Sequence, residues 1–288
     1  MAGRDGAALA FGSLYSFDGP ETAGNAMNSH ARTPDQGRSW SRHAAHYGET
    51  FLDPYAPGVD NPLWEALDGV EGAAGKVAAD LGCGTGPLLP ALLERFDRVI
   101  ALDFAPGMIE RARERVAEDD VARVRFLHRQ MDDLADLTGA IDVAAAINSL
   151  VMPDERLIHQ TLRAIRACLR PGGVFLGVVP SIDSIQYHTL LLHDQALDHG
   201  MSPAEADRFA ALHAEHRYYD FAFGRFKYQG LRQKFWHDFE LEYRLAKCGF
   251  RSITIGKVLY PWTNDNFAGG ADFADLPRSW DWFFRAEP

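Results

Sequence analysis

Between Lys76 and Val179 the chain alternates short apolar runs with longer segments in which apolar residues recur every three or four positions. Runs that are apolar nearly throughout predict buried strands, and they are "KVAADL", "RVIALD", "RVRFLH", "IDVAAAI" and "GVFLGVV". The periodic segments predict amphipathic helices: "GPLLPALLERF", with Pro87 in its first turn, "APGMIERARERVAE" and "DERLIHQTLRAIRACL". This alternation predicts a parallel sheet covered on both faces, with a ligand site at the carboxyl ends of its strands.

The alternation stops after Pro180 and resumes near Asp238. The residues between are rich in His, Tyr and Phe. They predict at least one helix, with Ser202 as N-cap, Pro203 as first helical residue and Glu205 as partner in a capping box. The final part predicts a helix in "DFELEYRLAKCGF" and strands in "RSITIGKV" and "SWDWFFRAE". A segment inserted between sheet elements is typical of a lid or a substrate wall.

These patterns divide the chain into four parts. Residues 1–39 are rich in small and polar residues without a clear period, which predicts a flexible or loosely packed N-terminal segment. Residues 40–180, beginning with a helical stretch, form the α/β core, residues 181–236 a helical and aromatic insertion, and residues 237–288 the completion of the core. The predicted fold class is α/β: a doubly wound, Rossmann-like sheet of seven mostly parallel strands, with a helical insertion after the fifth strand.

Charge narrows the classes of partner. The 288 residues carry 29 Lys plus Arg against 40 Asp plus Glu, a formal net charge of −11. Most of such a surface repels a polyanion, so nucleic acid is not the expected partner, although the basic stretch "HRYYDFAFGRFKYQGLRQK" leaves that possibility open. Small molecules or peptides are the expected substrates.

Two further observations favour a cytoplasmic protein without membrane association. No apolar run is long enough to span a membrane, and the N-terminus lacks the charged-then-apolar pattern of a secretion signal. The three cysteines, Cys83, Cys168 and Cys248, lie far apart, so they indicate neither a disulfide framework nor a zinc site. No metal site is predicted.

The stretch "KVAADLGCGTGPLLP" carries the candidate chemistry. Asp80 ends the predicted first strand, and glycines follow at every second position: Gly82, Gly84 and Gly86. Glycines there let the polar part of a ligand approach the backbone closely. The dinucleotide fingerprint G-x-G-x-x-G needs its third glycine at Pro87 or Leu89, so both registers fail. The pattern present is D-x-G-x-G-x-G.

This pattern resembles the first motif of class I S-adenosylmethionine-dependent methyltransferases, and the resemblance runs from about Trp40 to Val179 and resumes at Asp238. Asp103, which closes "RVIALD" about twenty residues beyond the glycines, is similar to the acid that accepts both ribose hydroxyls in that family. The stretch "LRPGG" also resembles the family's hairpin before the fifth strand, whereas Gln130 stands where the family often has an acid.

The resemblance implies S-adenosylmethionine as cofactor and a set of residues around it. It places Phe104 and Met108 beside the adenine, Met131 and Asp132 at the adenine edge, and Asn148 past the transferring methyl group. Tyr47 resembles a tyrosine that closes over the cofactor, and Cys83 is a small loop residue rather than a nucleophile. The implied cofactor contacts are Tyr47, Asp80, Gly82, Cys83, Gly84, Gly86, Asp103, Phe104, Met108, Met131, Asp132 and Asn148.

The insertion supplies the candidate acceptor contacts, which are Tyr187, His188, His216 and Tyr228. One of its histidines would serve as a base if the acceptor must lose a proton. Each of these side chains is also compatible with a plain packing or surface role. The pattern therefore names no catalytic base.

The resemblance implies methyl transfer to an oxygen or nitrogen nucleophile by in-line displacement at the sulfonium methyl group, and the charge balance favours a small-molecule acceptor. Two alternatives stay open. One is an NAD(P)-dependent oxidoreductase, which the missing third glycine disfavours, and the other is a non-catalytic S-adenosylmethionine-binding regulatory protein. A protein or RNA acceptor is a variant of the main prediction. The patterns determine neither the acceptor's identity nor the oligomeric state.

Overall fold

The strands and helices come from a computed structural model that describes residues 41, 52–213, 217–220, 223–228, 231–262, 267 and 269–288, with only the backbone at 213, 217–219, 227, 228 and 231. The strands are β1 Val77–Leu81, β2 Arg98–Asp103, β3 Val124–His128, β4 Ile141–Ile147, β5 Leu169–Val179, β6 Arg217–Asp220, β7 Arg225–Tyr228, β8 Leu231–Lys234, β9 Arg251–Tyr260 and β10 Ser279–Glu287. The helices are α1 Leu63–Asp68, α2 Leu89–Leu93, α3 Pro106–Glu114, α4 Glu155–Cys168, α5 Ile182–Asp198, α6 Pro203–His213 and α7 Asp238–Lys247.

One large sheet has the strand order β3-β2-β1-β4-β5-β10-β9. Strands β1 to β5 pair in parallel, and β10 runs antiparallel to both of its neighbours. The chain leaves β1 towards β2 on one side and returns to β4 on the other, so the strand order reverses at β1. The predicted seven-stranded, mostly parallel and Rossmann-like sheet is confirmed. Ligands bind such sheets at the carboxyl ends of the strands beside this reversal.

Apolar layers cover both faces of the sheet. On one face α4 and α7 bury Ile158, Leu162, Leu241 and Leu245 against it. On the other face α1, α2 and α3 bury Leu63, Leu92 and Ile109. Full burial of such a side chain stabilises the fold by about 1.5–3 kcal/mol. The two layers therefore fix the strand ends at which a ligand would bind.

Two element boundaries differ from the prediction. Helix α2 begins at Leu89, so Pro90 rather than Pro87 lies in its first turn. Gly86 has a left-handed backbone with a φ of 77°, and its carbonyl oxygen accepts a hydrogen bond from Leu89 N–H in a turn, which delays the helix. Strand β5 begins at Leu169 and so includes "LRPGG", which the sequence predicts to precede it.

The insertion contains more than the predicted helix. Helix α6 begins as predicted, because the N–H and Oγ of Ser202 donate to Glu205 Oε2 at 2.9 and 2.6 Å. Helix α5 precedes it, and β6, β7 and β8 form an antiparallel three-stranded sheet after it. The insertion thus combines helices with a small sheet, called the inserted sheet below.

The predictions for residues 1–39 fall outside the described residues, as does most of the helical stretch that follows. Ser41 is described there and is helical. Its Oγ accepts a hydrogen bond from Gly107 N–H, 3.3 Å away at the start of α3. Across the described ranges, none of the helices has both the length and the apolar character needed to span a lipid bilayer.

Candidate functional site

The glycine loop follows β1, where the strand order of the sheet reverses. All three glycines have positive φ angles: 76° at Gly82, 53° at Gly84 and 77° at Gly86. A Cβ atom makes this backbone conformation unfavourable for other residues. The N–H groups of Gly82 and Cys83 donate to Leu102 O of β2, at 2.7 and 2.8 Å. These bonds tie the loop to the neighbouring strand.

The three glycines face different surroundings. A Cβ at Gly82 would lie 2.4 Å from Ser149 Cβ, and one at Gly86 would lie 3.1 Å from Ala112 Cβ in α3. The protein's own packing therefore requires these two glycines. A Cβ at Gly84 would meet none of the described atoms within 4 Å. Gly84 is the position at which the loop backbone is open to a ligand.

Asp103 ends β2 beside the loop. Its Oδ2 accepts a hydrogen bond from Gly84 N–H at 3.0 Å, and its Oδ1 accepts one from Ala105 N–H at 2.8 Å. Burial raises the pKa of Asp103, and these backbone donors oppose the rise. Each carboxylate oxygen can accept a further hydrogen bond. Asp103 can therefore hold the loop and accept ribose hydroxyls at the same time.

Asp80 in β1 is a second buried acid, only 2% exposed. Burial, with the charge of Asp103 as the smaller cause, raises the pKa of Asp80 to about 7. Burial and the same two acids raise the pKa of the Cys83 thiol well above its usual value. The thiol is therefore protonated and a poor nucleophile. Two buried acids at one edge of the sheet create a site that favours a cation.

The residues expected around the adenine lie on the side of β2 and β3. Phe104 directly follows β2, and Met108 is buried in α3. Met131 is half-buried, with its sulfur 3.6 Å from the position of a Cβ at Gly82. Asp132 is exposed. The backbone brings the four residues to the predicted edge, and their contact with an adenine stays a prediction.

The loop after β4 links this side to the next strand. Asn148 N–H donates to Val178 O of β5 at 2.8 Å, and Ser149 Oγ donates to Leu81 O of β1 at 2.7 Å. Ser149 also fills the space beside Gly82. Asn148 has a φ of 51°, and its buried Oδ1 has no hydrogen-bond partner among the described residues. The loop therefore holds Asn148 in a left-handed backbone conformation close to the glycine loop.

The inserted sheet lies on the same loop. Three donors of the insertion reach backbone carbonyl oxygens that follow Asn148 in the chain. They run from Lys234 N to Val151 at 2.8 Å, from Trp236 Nε1 to Leu150 at 2.9 Å, and from Arg225 Nε to Pro153 at 2.8 Å. These bonds place the insertion beside the carboxyl end of β4.

A chain of alternating bases and acids fastens the inserted sheet to α4 and α7. It runs through Asp220, Arg225, Glu155, Arg244, Glu240 and Lys234. Lys234 is fully buried, and its Nζ donates to Glu240 Oε2 and to Phe223 O, each at 2.8 Å. Burial lowers the pKa of Lys234, and Glu240 opposes that change. Breaking a buried ion pair is strongly destabilising, so this chain fixes the position of the inserted sheet.

Two of the candidate acceptor residues lie in an aromatic cluster of α5 and the C-terminal part of the chain. His188 is buried, and its ring centroid lies 5.4, 5.6 and 6.1 Å from those of Trp262, Phe267 and Phe273. The ring of Tyr187 lies 5.8 Å from that of Trp280. The cluster gives His188 a packing role, and its contact with an acceptor stays a prediction.

The other two candidate acceptor residues are Tyr228 and His216. Tyr228 lies in β7, where its backbone pairs with Leu231 of β8, and its side chain is not described. His216 lies outside the described residues, as does Tyr47 of the cofactor set.

A histidine–aspartate pair that the sequence patterns do not single out lies where α5 and α7 begin. His237 Nδ1 is 2.9 Å from Asp183 Oδ1. Asp183 is in the first turn of α5, just beyond the carboxyl end of β5, and His237 is the N-cap of α7. The two side chains are 25% and 34% exposed. No local motif reveals this pair, because its members are 54 positions apart.

Within the part of the chain that the structure describes, no group of three or more His, Cys, Asp or Glu side chains could hold a metal ion.

The residues at the ends of β1 and β2 fit S-adenosylmethionine. The open backbone at Gly84 allows close approach, Asp103 offers a carboxylate for a ribose, and the second buried acid, Asp80, favours a sulfonium cation.

Comparisons with known proteins agree with this fit. Residues 78–173 match the family described as "Methyltransferase domain". The chain is similar to the demethylmenaquinone methyltransferase of Clavibacter sepedonicus, with 34% identity over 119 residues, 40% of this chain and 46% of that protein. It is also similar to a carboxy-S-adenosyl-L-methionine synthase of Geobacter metallireducens, with 31% identity over 142 residues, 46% of this chain and 57% of that protein. The chain thus spans about half the length of these relatives.

Among solved structures, the fold is similar to that of the Burkholderia thailandensis 1,6-didemethyltoxoflavin-N1-methyltransferase, with a TM-score of 0.57, 18% identity and 92% of each chain covered. At this identity the likeness concerns the fold alone. The sequence match and the fold agree with the glycine-loop motif and its acids. Residues 78–173 therefore belong to the class I S-adenosylmethionine-dependent methyltransferase family, whose cofactor is S-adenosylmethionine.

Proposed function

We propose that this protein transfers the methyl group of S-adenosylmethionine to a small molecule, at an oxygen or nitrogen nucleophile. The observation that carries the proposal is the open backbone of Gly84 beside two buried acids, Asp80 and Asp103. The backbone allows close approach, and the acids supply a ribose contact and a negative potential.

The charge at this edge distinguishes the proposal from an NAD(P)-dependent oxidoreductase. A dinucleotide would bring a pyrophosphate to the glycine loop, where it would meet Asp80 and Asp103. S-adenosylmethionine brings no phosphate, and its sulfonium is a cation. The same acids therefore favour one cofactor and disfavour the other.

The relatives support a small acceptor. The Clavibacter protein is named for demethylmenaquinone, and the Burkholderia structure holds 1,6-didemethyltoxoflavin beside S-adenosylhomocysteine. Both names refer to small organic molecules, and the net charge of −11 disfavours nucleic acid. The carboxy-S-adenosyl-L-methionine synthase carries a similar segment under a different name, and an assay of methyl transfer distinguishes the two activities.

The protein's part in the reaction is positioning. S-adenosylmethionine, when bound, supplies an electrophilic methyl group on sulfur. The glycine loop and Asp103 would hold its sugar end, and the loop after β4 would border the methyl group. The inserted sheet, fastened beside that loop, would exclude water and align the nucleophile with the S–CH₃ bond. Near-attack positioning is worth roughly 7–11 kcal/mol.

A hydroxyl acceptor also needs a base, and His237 is the described histidine best suited to that role. Hydrogen bonding of its Nδ1 to Asp183 leaves Nε2 free to take a proton. Both residues begin helices at the carboxyl edge of the sheet. His237 adjoins Trp236, whose indole donates to the loop after β4.

Ligand-dependent thermal unfolding tests the cofactor. A ligand at a hundredfold excess over its Kd stabilises the folded state by about 2.7 kcal/mol. S-adenosylhomocysteine should raise the Tm, and NAD⁺ and NADP⁺ should not. A rise with a dinucleotide alone would contradict the proposal. Binding of S-adenosylhomocysteine without tritium transfer from methyl-labelled cofactor to iodide or to small nucleophiles would favour a non-catalytic binding protein.

A pair of variants tests the base. His237→Gln should slow transfer to a hydroxyl acceptor such as phenol and leave transfer to iodide, which carries no proton, within about threefold. General-base catalysis contributes on the order of 10²–10⁴ in rate. His193→Gln is the control, because His193 also pairs with aspartates, Asp194 of α5 and Asp207 of α6. An equal loss of transfer rate with phenol and with iodide would show that His237 has a structural role and is not a base.

A further inference from the structure

Five buried polar residues form a cluster where the start of α5 meets the end of β9 and the start of β10. They are Ser181, Ser184, Tyr260, Ser279 and Asp281. Tyr260 is fully buried, and the other four are at most 6% exposed. Burying polar groups costs free energy unless hydrogen bonds pair them, and a hydrogen-bonded network then favours one arrangement of the elements it joins. The cluster therefore fixes the start of α5 against β9 and β10.

Asp281 joins this cluster to the backbone of α5. Its Oδ1 accepts a hydrogen bond from Ser181 N–H at 3.3 Å, and its Oδ2 accepts one from the Tyr260 hydroxyl at 2.8 Å. Burial raises the pKa of Asp281 to about 6, and both donors oppose the rise, so the acid is ionised at pH 8. Ser181 is the N-cap of α5. Asp281 thus holds the beginning of α5 with a charge-assisted hydrogen bond.

Asp183 lies between the two serines of the cluster that belong to the start of α5. Ser181, two positions before it, is held by β10 as described. Ser184, directly after it, accepts a hydrogen bond from Trp280 N–H at its Oγ, at 2.8 Å, and this oxygen lies 2.7 Å from Ser279 Oγ. The turn that carries Asp183 is therefore tied to β10 on both sides.

His237 is tied to the same turn through the residue before it. Trp236 N–H donates to Pro180 O at 2.8 Å, and Trp236 O accepts a hydrogen bond from Ile182 N–H at 3.1 Å. These bonds align the two segments, and His237 Nδ1 lies 2.9 Å from Asp183 Oδ1. A shift of the start of α5 would therefore change the hydrogen bond between His237 and Asp183.

We propose that Asp281 is a positioning residue: by accepting the Ser181 N–H, it keeps Asp183 at hydrogen-bond distance from His237. This rests on the proposed function, in which His237 takes the proton of a hydroxyl acceptor. A histidine base depends on the acid at its other ring nitrogen for its orientation and tautomer. Without Asp281, the buried Ser181 N–H loses its acceptor, and a start of α5 that moves to satisfy this N–H draws Asp183 away from His237.

Three variants distinguish positioning from packing. Asp281→Val fills the space with a side chain that suits a strand and accepts no hydrogen bond. Asp281→Asn keeps an oxygen that can accept the Ser181 N–H. Tyr260→Phe is the matched control, because it removes the other hydrogen bond of the same carboxylate and leaves the one to Ser181. The readouts, at pH 8, are the Tm, the Kd of S-adenosylhomocysteine by calorimetry, and the kcat of tritium transfer to phenol and to iodide.

We expect Asp281→Val and Tyr260→Phe to lower the Tm, because each removes a buried hydrogen bond, and all three variants to keep the Kd within about twofold. Of the three, Asp281→Val alone should lower the ratio of kcat with phenol to kcat with iodide, by about tenfold or more. Combined with His237→Gln, Asp281→Val should lower this ratio by less than about twofold further, because no base is left to position.

Four results would overturn the proposal: a wild-type ratio in folded Asp281→Val, an equal fall in Tyr260→Phe, an equal fall in Asp281→Asn, or a full further fall in the His237→Gln background. If Asp281→Val does not fold, Asp281→Val combined with Tyr260→Phe removes both buried polar partners and is held to the same ratios. Wild-type protein that binds no S-adenosylhomocysteine would overturn the proposed function itself.

Discussion

The two sides of the site differ in how far apart their hydrogen-bonded residues lie in the sequence. On the cofactor side, Asp103 accepts hydrogen bonds from Gly84 and Ala105, which lie 19 and 2 positions away. On the insertion side, Trp236 reaches Leu150 across 86 positions and Arg225 reaches Pro153 across 72. The first side is a local backbone arrangement that a motif can encode. The second side is assembled from side chains that meet only in the folded protein.

Replacing the buried Lys234 of the insertion side should give the largest effect, a loss of folding stability. Lys234→Met leaves Glu240 without its lysine partner and Phe223 O without its donor. Breaking a buried ion pair costs about 3–5 kcal/mol, so the free energy of unfolding in urea should fall by that order. The exposed Lys257, which lies over the Trp280 ring at 3.6 Å, is the control, and Lys257→Met should cost about 0.5–1 kcal/mol.

The affinity for S-adenosylhomocysteine sharpens this test. If the insertion side does not contribute to cofactor binding, the folded Lys234→Met variant should have a Kd for S-adenosylhomocysteine within about threefold of the wild-type value. Equal stability of the two lysine variants would show that the chain of ion pairs does not fix the inserted sheet.

Alanine variants of two loop glycines distinguish a glycine that packing requires from a glycine that leaves space for a ligand. Gly82→Ala forces a Cβ against Ser149 in a left-handed backbone. The free energy of unfolding should fall by the sum of about 1–2 kcal/mol of backbone strain and about 1–3 kcal/mol of overpacking. Gly84→Ala adds the strain alone, but its methyl group enters the open space and should weaken S-adenosylhomocysteine binding at least tenfold.

Gly139→Ala is the matched control for Gly84, because Gly139 has a φ of 63° and is also open, away from the site. It should match Gly84→Ala in thermal stability and match wild type in ligand affinity. If Gly84→Ala binds the ligand normally, the open face of the loop is not where the cofactor lies.

Removing the acid at the end of β2 should weaken the cofactor more than the fold. Asp103→Ala loses charge-assisted contacts worth about 1.5–3 kcal/mol each, so calorimetry should show S-adenosylhomocysteine affinity about a hundredfold lower. The variant also loses the bond to Gly84, and some loss of stability is expected. Asp133→Ala, an exposed acid of the neighbouring loop, should leave the affinity unchanged. If the affinity of Asp103→Ala is within threefold of the wild-type affinity, Asp103 does not bind the ribose.

Protonation of Asp80 should give the smallest effect. Its folded pKa of about 7 lies above the unfolded value of 3.8, so the folded state binds more protons, and this acid's contribution to stability falls as pH rises from about 4 to about 7. The deprotonated acid favours a cation, so S-adenosylmethionine affinity should rise about tenfold between pH 6 and pH 8. Asp80→Asn should flatten that profile, and a profile identical to wild type would assign the dependence to another group.

The sequence predicts what depends on local pattern. Strand β4 and the capping box of Ser202 and Glu205 are where their periodicity and residue types place them. The order of apolar strands predicts the parallel part of the sheet. The start of α2 is missed because the left-handed backbone of Gly86, required by packing against Ala112, delays the helix beyond Pro87.

What the sequence does not predict depends on distant partners. The strands of the inserted sheet are 4 residues each and are placed by bonds to the loop after β4, so no period reveals them. The aromatic rings around His188 come from distant parts of the chain, so no local pattern reveals them, and its contact with an acceptor stays a prediction. The pairing of His237 with Asp183 and the left-handed backbone of Asn148 likewise follow from packing between elements.

A crystal structure with S-adenosylhomocysteine tests the central claim most directly, because it shows what the open backbone and the two acids receive. We predict that both ribose hydroxyls lie within about 2.5–3.0 Å of the Asp103 oxygens, that the ligand chain passes over Gly84, and that the sulfur is turned towards Asn148 and the inserted sheet. A ligand bound away from Gly84, or a sulfur that faces α3 instead of the inserted sheet, would contradict it.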